Sequence, residues 1–227
     1  KANEITALPV LLELLDVRGC VISMDAMGCQ KSVVSALTQA GADYVLALKE
    51  NQPTLSAAVQ AAFAQDPAVG APTTHTEDKP LHGRHETRTV RVLPAQALQK
   101  CAPHLALAEW TNLTSFVEVS ATRTIVTTGL VQTERRYYLS SLAVEAADFQ
   151  LLIRRHWGIE NRLHWVLDVT FREDQCRKRT QQAAANFALI RKSVLNLLRA
   201  MPDKISLQRK RNNCALSDEY RQKCLQI

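Results

Sequence analysis

The sequence has no apolar run of about 18 residues, the length that a membrane-spanning helix needs. It also shows no secretory signal. The six cysteines include no CxxC pair, and no Cys/His group has zinc-finger spacing. We therefore expect reduced thiols in a cytoplasmic protein that does not enter a membrane, rather than a disulfide scaffold or a zinc finger.

Several catalytic patterns are also missing. His156 and His164 are eight residues apart and form no HExxH motif, so a zinc protease is not indicated. Cys29 and Cys176 have no recognisable base near them in the sequence, which argues against a cysteine nucleophile. The chain begins with Lys1 and leads directly into an apolar helix, so we expect a fragment whose N-terminal part lies elsewhere.

Charge of one sign dominates the second half of the chain. The formal net charge is +6, yet residues 154–211 hold 14 Lys and Arg against 5 Asp and Glu, a net of +9. The remainder is therefore net −3. Such an asymmetry is compatible with a polyanionic partner, although solvated helix faces are the commoner explanation for isolated basic clusters.

The first 52 residues alternate between helical and strand patterns. Leucines at helical spacing predict a helix that ends before Gly19, and CVISMDA reads as a buried parallel strand that ends at Asp25. A second helix, KSVVSALTQAGA, and a second strand, DYVLALKENQ, follow. This order predicts an α/β sheet in which Asp25 and residues 49–52 lie at the carboxyl ends of the strands.

The pattern changes twice further along the chain. Residues 66–84 are rich in Pro, Gly, Thr and charge and are predicted to form a loop, and alternating β-branched residues follow. From residue 143 the pattern is helical, and after Pro202 it is polar and basic with weak structural signals. The predicted parts are an α/β part at 1–71, an antiparallel β-rich insertion at 72–142, a helical part at 143–201 and a basic tail at 202–227.

Asp25 is the first candidate for chemistry. An acid that follows a buried strand is exposed at the sheet edge, where its oxygens can bind a hard cation such as Mg²⁺. Alternatively, Asp25 caps the turn before the next helix, and its spacing alone favours that alternative.

Glu160 is the second candidate, in the segment RRHWGIENRLHW. On a helix it lies near Trp157 and Trp165, and the two indoles argue that the carboxylate is partly buried. It could form an Arg–Glu helix pair worth roughly 0.3–0.5 kcal/mol, ligate a metal or act as a general base. Helix geometry alone leaves all three open.

Three segments together resemble one family. They are VISMDAMGCQ with ADYVLALKENQP; HGRHETR; and RRHWGIENRLHWVLDVTFREDQCRKRTQQAAANFALIRKSVLNLLR. In order and separation they are similar to the H-repeat-associated transposases of bacterial insertion sequences, to about Arg199. These belong to the DDE class. The resemblance implies an α/β fold with a partial RNase H-like (retroviral integrase-like) core, an inserted antiparallel β-rich region and a helical C-terminal part.

The resemblance assigns roles to both acids. Asp25 matches the second catalytic aspartate and Glu160 the catalytic glutamate, and both are implied ligands of Mg²⁺, for which Mn²⁺ can substitute. The first catalytic aspartate of the family has no counterpart here. The implied function is DNA binding at insertion-sequence ends with metal-dependent strand cleavage and transfer. The alternative is a catalytically inactive DNA-binding remnant of a transposase. A third interpretation is a generic α/β interaction protein, which would hold if the basic residues proved scattered in three dimensions.

The implied partners are double-stranded DNA, at transposon ends and target, and a second copy of the chain in a synaptic homodimer. Related enzymes often carry a Tyr, an Arg and a Lys around the glutamate, whereas His156 and Leu167 stand four before and seven after Glu160. The Arg and Lys roles either fall to Arg155, Arg162 or Arg172 or are absent, and the sequence leaves these alternatives open. The implied DNA-binding residues are Arg154, Arg155, His156, Asn161, Arg162, Arg172, Arg177, Lys178 and Arg179.

Overall fold

The computed structural model describes residues 4–65, 74–81 and 84–226. The chain divides into two compact units, Lys1–His156 and Trp157–Ile227. Among the described residues, none of the helices combines the length and the apolar character needed to cross a membrane.

The first unit is built on a mixed six-stranded sheet, which confirms the predicted α/β class. The strand order is β1-β2-β6-β5-β4-β3. Only the β1–β2 pair is parallel, as predicted, and every other neighbouring pair is antiparallel. The strands are β1 (Val21–Met24), β2 (Asp43–Leu48), β3 (Thr74–Leu81), β4 (Arg84–Pro94), β5 (Ser115–Ile125) and β6 (Val131–Ser140).

Helices pack on this sheet around an apolar core in which Leu37, Tyr44 and Phe116 are fully buried. Apolar residues at helical spacing form the buried face of the second helix, and Gly41, with φ +77°, supplies the left-handed turn that ends it. The helices are α1 (Glu4–Leu14), α2 (Lys31–Gln39), α3 (Pro53–Ala64), α4 (Ala95–Cys101) and α5 (Ala146–Ile159), with short 3₁₀ turns at Ala26–Gly28 and Leu107–Glu109.

Two predictions about this sheet are wrong. Strand β1 is not buried, because it lies at the edge of the sheet and Val21 is 36% exposed. The predicted loop at 66–84 contains β3, which pairs with β4 from Thr74 to Leu81. Its low intrinsic propensity is overridden by the ladder to β4, and Pro80 is tolerated because β3 is an edge strand. Residues 66–73 and 82–83 of that prediction lie outside the described residues.

The second unit is helical. A π-helical turn at Glu160–His164 is followed by α6 (Trp165–Phe171), α7 (Ala183–Ala200), α8 (Leu207–Leu216) and α9 (Asp218–Leu225). Small apolar clusters hold these helices together, one around Leu167 and Leu195 and one around Leu198 and Met201.

The chain after Pro202 is more ordered than its composition suggests. The side chains of Ser206 and Ser217 cap α8 and α9 by accepting the backbone N–H groups of Arg209 and Tyr220. Lys210 is buried, and its Nζ donates to the carbonyls of Leu198 at 3.0 Å and Met201 at 2.6 Å. Local caps and one buried cation therefore order a segment that lacks a strong apolar period.

Candidate functional site

Asp25 stands directly after β1 and caps the 3₁₀ turn at Ala26–Gly28. Its Oδ1 accepts the backbone N–H of Met27 at 3.0 Å, which confirms the capping alternative. The side chain is exposed, and its Oδ2 receives no hydrogen bond from the described part of the chain. Capping therefore fixes one oxygen of the carboxylate and leaves the other accessible to a ligand.

The carboxyl ends of β1 and β2 meet at this point, as predicted. The Nδ2 of Asn51 donates to the carbonyls of Ala26 and Cys29, the latter at 3.2 Å. The Nε2 of Gln52 also donates to the Cys29 carbonyl, at 3.1 Å. The segment after β2 thus holds the turn that carries Asp25.

His156 connects α5 to the strand that bears Asp25. Its Nδ1 lies 3.0 Å from the hydroxyl of Ser23, a half-buried contact across 133 residues of sequence. Ser23 precedes Asp25 by two residues, and His156 precedes Glu160 by four. The imidazole of His156, which the resemblance implies as a DNA contact, therefore has a hydrogen-bonding partner within the first unit.

Glu160 begins the π-helical turn. The backbone N–H of Trp165 donates to the carbonyl of Glu160. This hydrogen bond joins residues five apart, whereas the hydrogen bonds of an α-helix join residues four apart. Such turns are rare and are frequently found at functional sites. Glu160 is exposed and Trp165 is 57% exposed, so the predicted partial burial of the carboxylate is wrong.

The Arg–Glu pair that the sequence left open for Glu160 is not formed. No cation among the described residues lies within ion-pair distance of this carboxylate. An exposed acid without a pairing cation, in a segment rich in arginine, keeps its negative charge available to a ligand.

Most of the implied DNA-binding residues are exposed. In the first unit these are Arg154 and Arg155. In the second unit, Arg172 adopts a left-handed conformation, φ 53°, that ends α6. The Nζ of Lys178 lies 3.5 Å from the centroid of the Phe187 ring, a cation–π contact. The other exposed members in the second unit are Asn161, Arg162, Arg177 and Arg179.

The sequence argued against Cys176 as a nucleophile for want of a nearby base, and it did not predict the hydrogen-bond donors that surround this thiol. The Lys178 backbone N–H and then the Arg191 guanidinium hydrogen-bond its sulfur and lower the pKa of the thiol. Arg191 also pairs with Glu173 at 3.1 Å. The cysteine lines a cavity of about 210 Å³ together with Lys178, Arg179 and Arg191. Its position directly before the basic run Arg177-Lys178-Arg179 was the available signal.

We expect iodoacetamide at pH 7.5 to alkylate Cys176 much faster than Cys29, because thiolates are the reactive form. Cys29 is fully buried, and burial raises the pKa of its thiol to about 12. If Arg177 and Lys178 bind DNA, duplex DNA should slow alkylation of Cys176 and leave exposed Cys101 unaffected. Peptide mass spectrometry would measure both rates, and equal protection of Cys101 would contradict a local contact.

The two candidate acids suit a divalent cation in ligand type, since hard cations prefer carboxylate oxygens. Asp25 belongs to the first unit and Glu160 to the second. Within the described ranges, no three His, Cys, Asp or Glu side chains are grouped so as to hold a metal.

Comparison with known proteins assigns the family. Residues 1–197 match the family described as "Transposase DDE domain". The chain is 35% identical to "H repeat-associated putative transposase YhhI" and to "Putative protein YbfL", both of Escherichia coli K12, over 97% of its length and 58% of theirs. It is 38% identical to "Putative transposase YncI" of Escherichia coli O157:H7, over 97% of the chain and 56% of that protein.

The chain thus spans a little over half the length of these curated relatives. No solved structure matches it. The match to the transposase domain covers both acids and nearly the whole chain, in agreement with the resemblance of the quoted motifs. The chain therefore belongs to the DDE transposase family, whose catalytic domain has an RNase H-like fold.

Proposed function

We propose that Asp25 and Glu160 are the second aspartate and the glutamate of a DDE site and that they ligate the same divalent cation, Mg²⁺ or Mn²⁺. The observation that carries this proposal is the environment of Glu160. It is an exposed carboxylate at a π-helical turn, without an ion pair among the described residues, inside the domain that matches the transposase family.

The reaction is metal-dependent cleavage of DNA at insertion-sequence ends, followed by strand transfer. When bound, a divalent cation supplies Lewis-acid activation of the attacking and leaving oxygens. Within the chain, the Met27 N–H holds one oxygen of Asp25 and leaves the other for the cation. Glu160 supplies a second carboxylate, and nearby arginines neutralise and position the phosphodiester.

The proposed partner is double-stranded DNA, both transposon end and target, in the bacterial cytoplasm. A homodimer in a synaptic complex is proposed with it. Exposed cations without a described carboxylate partner support the DNA contact, and Arg177 and Arg179 are two of them. Arg221 and Lys223, in contrast, pair with Asp218 and Glu219.

Salt titration of duplex binding tests the DNA contact. We expect log Kobs to fall linearly with log salt, because bound cations release counterions. Changing Arg177, Lys178 and Arg179 together to Gln should reduce the slope by about 2–3, since each phosphate contact contributes about 0.9. The matched control changes Arg221 and Lys223 to Gln and should alter the slope little. Equal effects of the two variants would contradict the proposed surface.

A second candidate is DNA binding without cleavage. The observation in favour of this candidate is that, among the described residues, no three side chains that could ligate a metal lie close together. Nicking of supercoiled plasmid in Mg²⁺ and in Mn²⁺ separates the two candidates. Nicking supports the catalytic proposal, and tight duplex binding without nicking supports the second candidate. Absence of binding at low salt would exclude both.

A further inference from the structure

A polar cavity lies beside Asp25 at the carboxyl ends of β1 and β2. Its volume is about 560 Å³, within the range of about 300–1,000 Å³ that small-ligand sites occupy. All of its walls belong to the first unit. The lining residues are Met27, Gln30, Lys31, Ser32, Asn51 and Gln52.

Three amide side chains in this cavity have a defined orientation. The amino groups of Asn51 and Gln52 donate to backbone carbonyls of the turn after Asp25, and that of Gln30 donates to the Met27 carbonyl at 3.1 Å. A carbonyl can only accept, so each amide must turn its NH₂ towards the backbone. Asn51 uses both of its N–H groups in this way, so its amide oxygen is the atom left to accept from a ligand. Gln30 and Gln52 each keep one N–H and one oxygen for a ligand.

Three further side chains, Met27, Lys31 and Ser32, complete the cavity. Met27 is 49% exposed and offers an apolar, polarizable surface next to the amides. Lys31 pairs with Glu109, but the two side chains are 47% and 58% exposed, so this contact is weak and a phosphate can compete for the ammonium. The cavity thus combines amide acceptors and donors, an apolar surface and one cation.

We propose that this cavity binds one unstacked nucleobase of the DNA strand, with the adjoining phosphate on Lys31. A base that carries an exocyclic amino group donates to the amide oxygens, and its face packs against Met27. A phosphate alone would meet those oxygens unfavourably. This inference rests on the proposed function only in taking DNA as the ligand, and it adds a base-binding site that the metal chemistry does not require.

Fluorescein-labelled four-nucleotide single strands test the proposal by anisotropy. The probes are oligo-dC, oligo-dT and an abasic strand with the same phosphates. We expect dC to bind about fivefold more tightly than the abasic strand, at the low end of the range for base stacking on a side chain. In a single strand thymine donates through its N3–H as cytosine does through its N4 amino group, so dT should also bind more tightly than the abasic strand.

Variants of Met27 and Lys31, two of the exposed lining residues, locate the site. Met27→Ala should remove most of the difference between dC and the abasic strand, and Met27→Leu should restore most of it. Lys31→Gln should weaken all three probes equally. Val126, which is 69% exposed and distant in sequence, provides the matched control: Val126→Ala should change nothing.

Equal binding of dC, dT and abasic strands would overturn the proposal, and so would a base preference that survives Met27→Ala. Duplex binding measured in parallel separates this failure from failure of the proposed function. If duplex still binds with a steep salt dependence, only the base site is wrong. If neither duplex nor single strand binds at low salt, the proposed function and the base site fail together.

Discussion

Replacing Glu86 with alanine is expected to lower the free energy of unfolding by about 3 kcal/mol, the low end of the cost of breaking a buried ion pair. Glu86 is 5% exposed on β4 and accepts hydrogen bonds from Arg88 and from Arg123, the latter at 3.1 Å. Removing the carboxylate deprives the guanidinium groups of Arg88 and Arg123 of this hydrogen-bond acceptor. Their side chains are 27% and 34% exposed, so water compensates part of the loss.

The effect should depend on pH. Burial alone would raise the pKa of Glu86, but hydrogen bonds and charge attraction from Arg88 and Arg123 outweigh burial and lower it. A lowered pKa in the folded state means that the stabilisation is complete above the ordinary glutamate pKa and is lost as pH falls through the folded value. The difference between wild type and Glu86→Ala should therefore be full at pH 7 and shrink below about pH 4.5.

Urea unfolding at several pH values measures this difference. Glu134→Ala is the matched control, because Glu134 also pairs with Arg123 and Arg136 but its side chain is 44% exposed. An exposed pair contributes about 0–1 kcal/mol, so the control should lose far less stability. Equal losses in Glu86→Ala and Glu134→Ala would contradict a buried ion-pair network in the outer part of the sheet.

The sequence predicted those elements whose signals are local. Alternating helix and strand patterns predicted the parallel β1–β2 pair and its carboxyl edge, where Asn51 contacts the turn that follows Asp25. The strongly periodic helix before Met201 was also predicted correctly. Each of these depends on apolar periodicity within about 15 residues, which the printed sequence carries directly.

Features that depend on distant partners were missed. Strand β3 exists because β4 pairs with it, and its own composition reads as a loop. The contact between Ser23 and His156 joins residues that are 133 apart in the sequence, so no local pattern predicts it. The π-helical turn at Glu160 also has no propensity signal, so the exposure of that carboxylate had to come from the structure.

The second large effect is expected on DNA nicking when Asp25 or Glu160 is replaced. Asp25→Asn and Glu160→Gln should each reduce any metal-dependent nicking by at least about 100-fold, since losing even an outer partner of a metal ligand costs about 10–100-fold. Both replacements keep the size of the side chain and remove one charge from a proposed metal ligand. Duplex binding should be retained, because the proposed DNA contacts are arginines and lysines. Loss of duplex binding along with nicking would indicate misfolding rather than loss of a ligand.

The proposal that Asp25 and Glu160 share a cation can be tested without any DNA reaction by using Tb³⁺, a hard cation that takes oxygen ligands. Trp157 and Trp165 flank Glu160, so Tb³⁺ held by this carboxylate should luminesce when the indoles are excited. Changing both tryptophans to Phe should abolish that signal. Tb³⁺ titration of wild type and Asp25→Asn is then the most direct measurement: we predict at least tenfold weaker Tb³⁺ binding in Asp25→Asn. An unchanged titration would show that Glu160 binds the ion without Asp25 and would contradict the shared site.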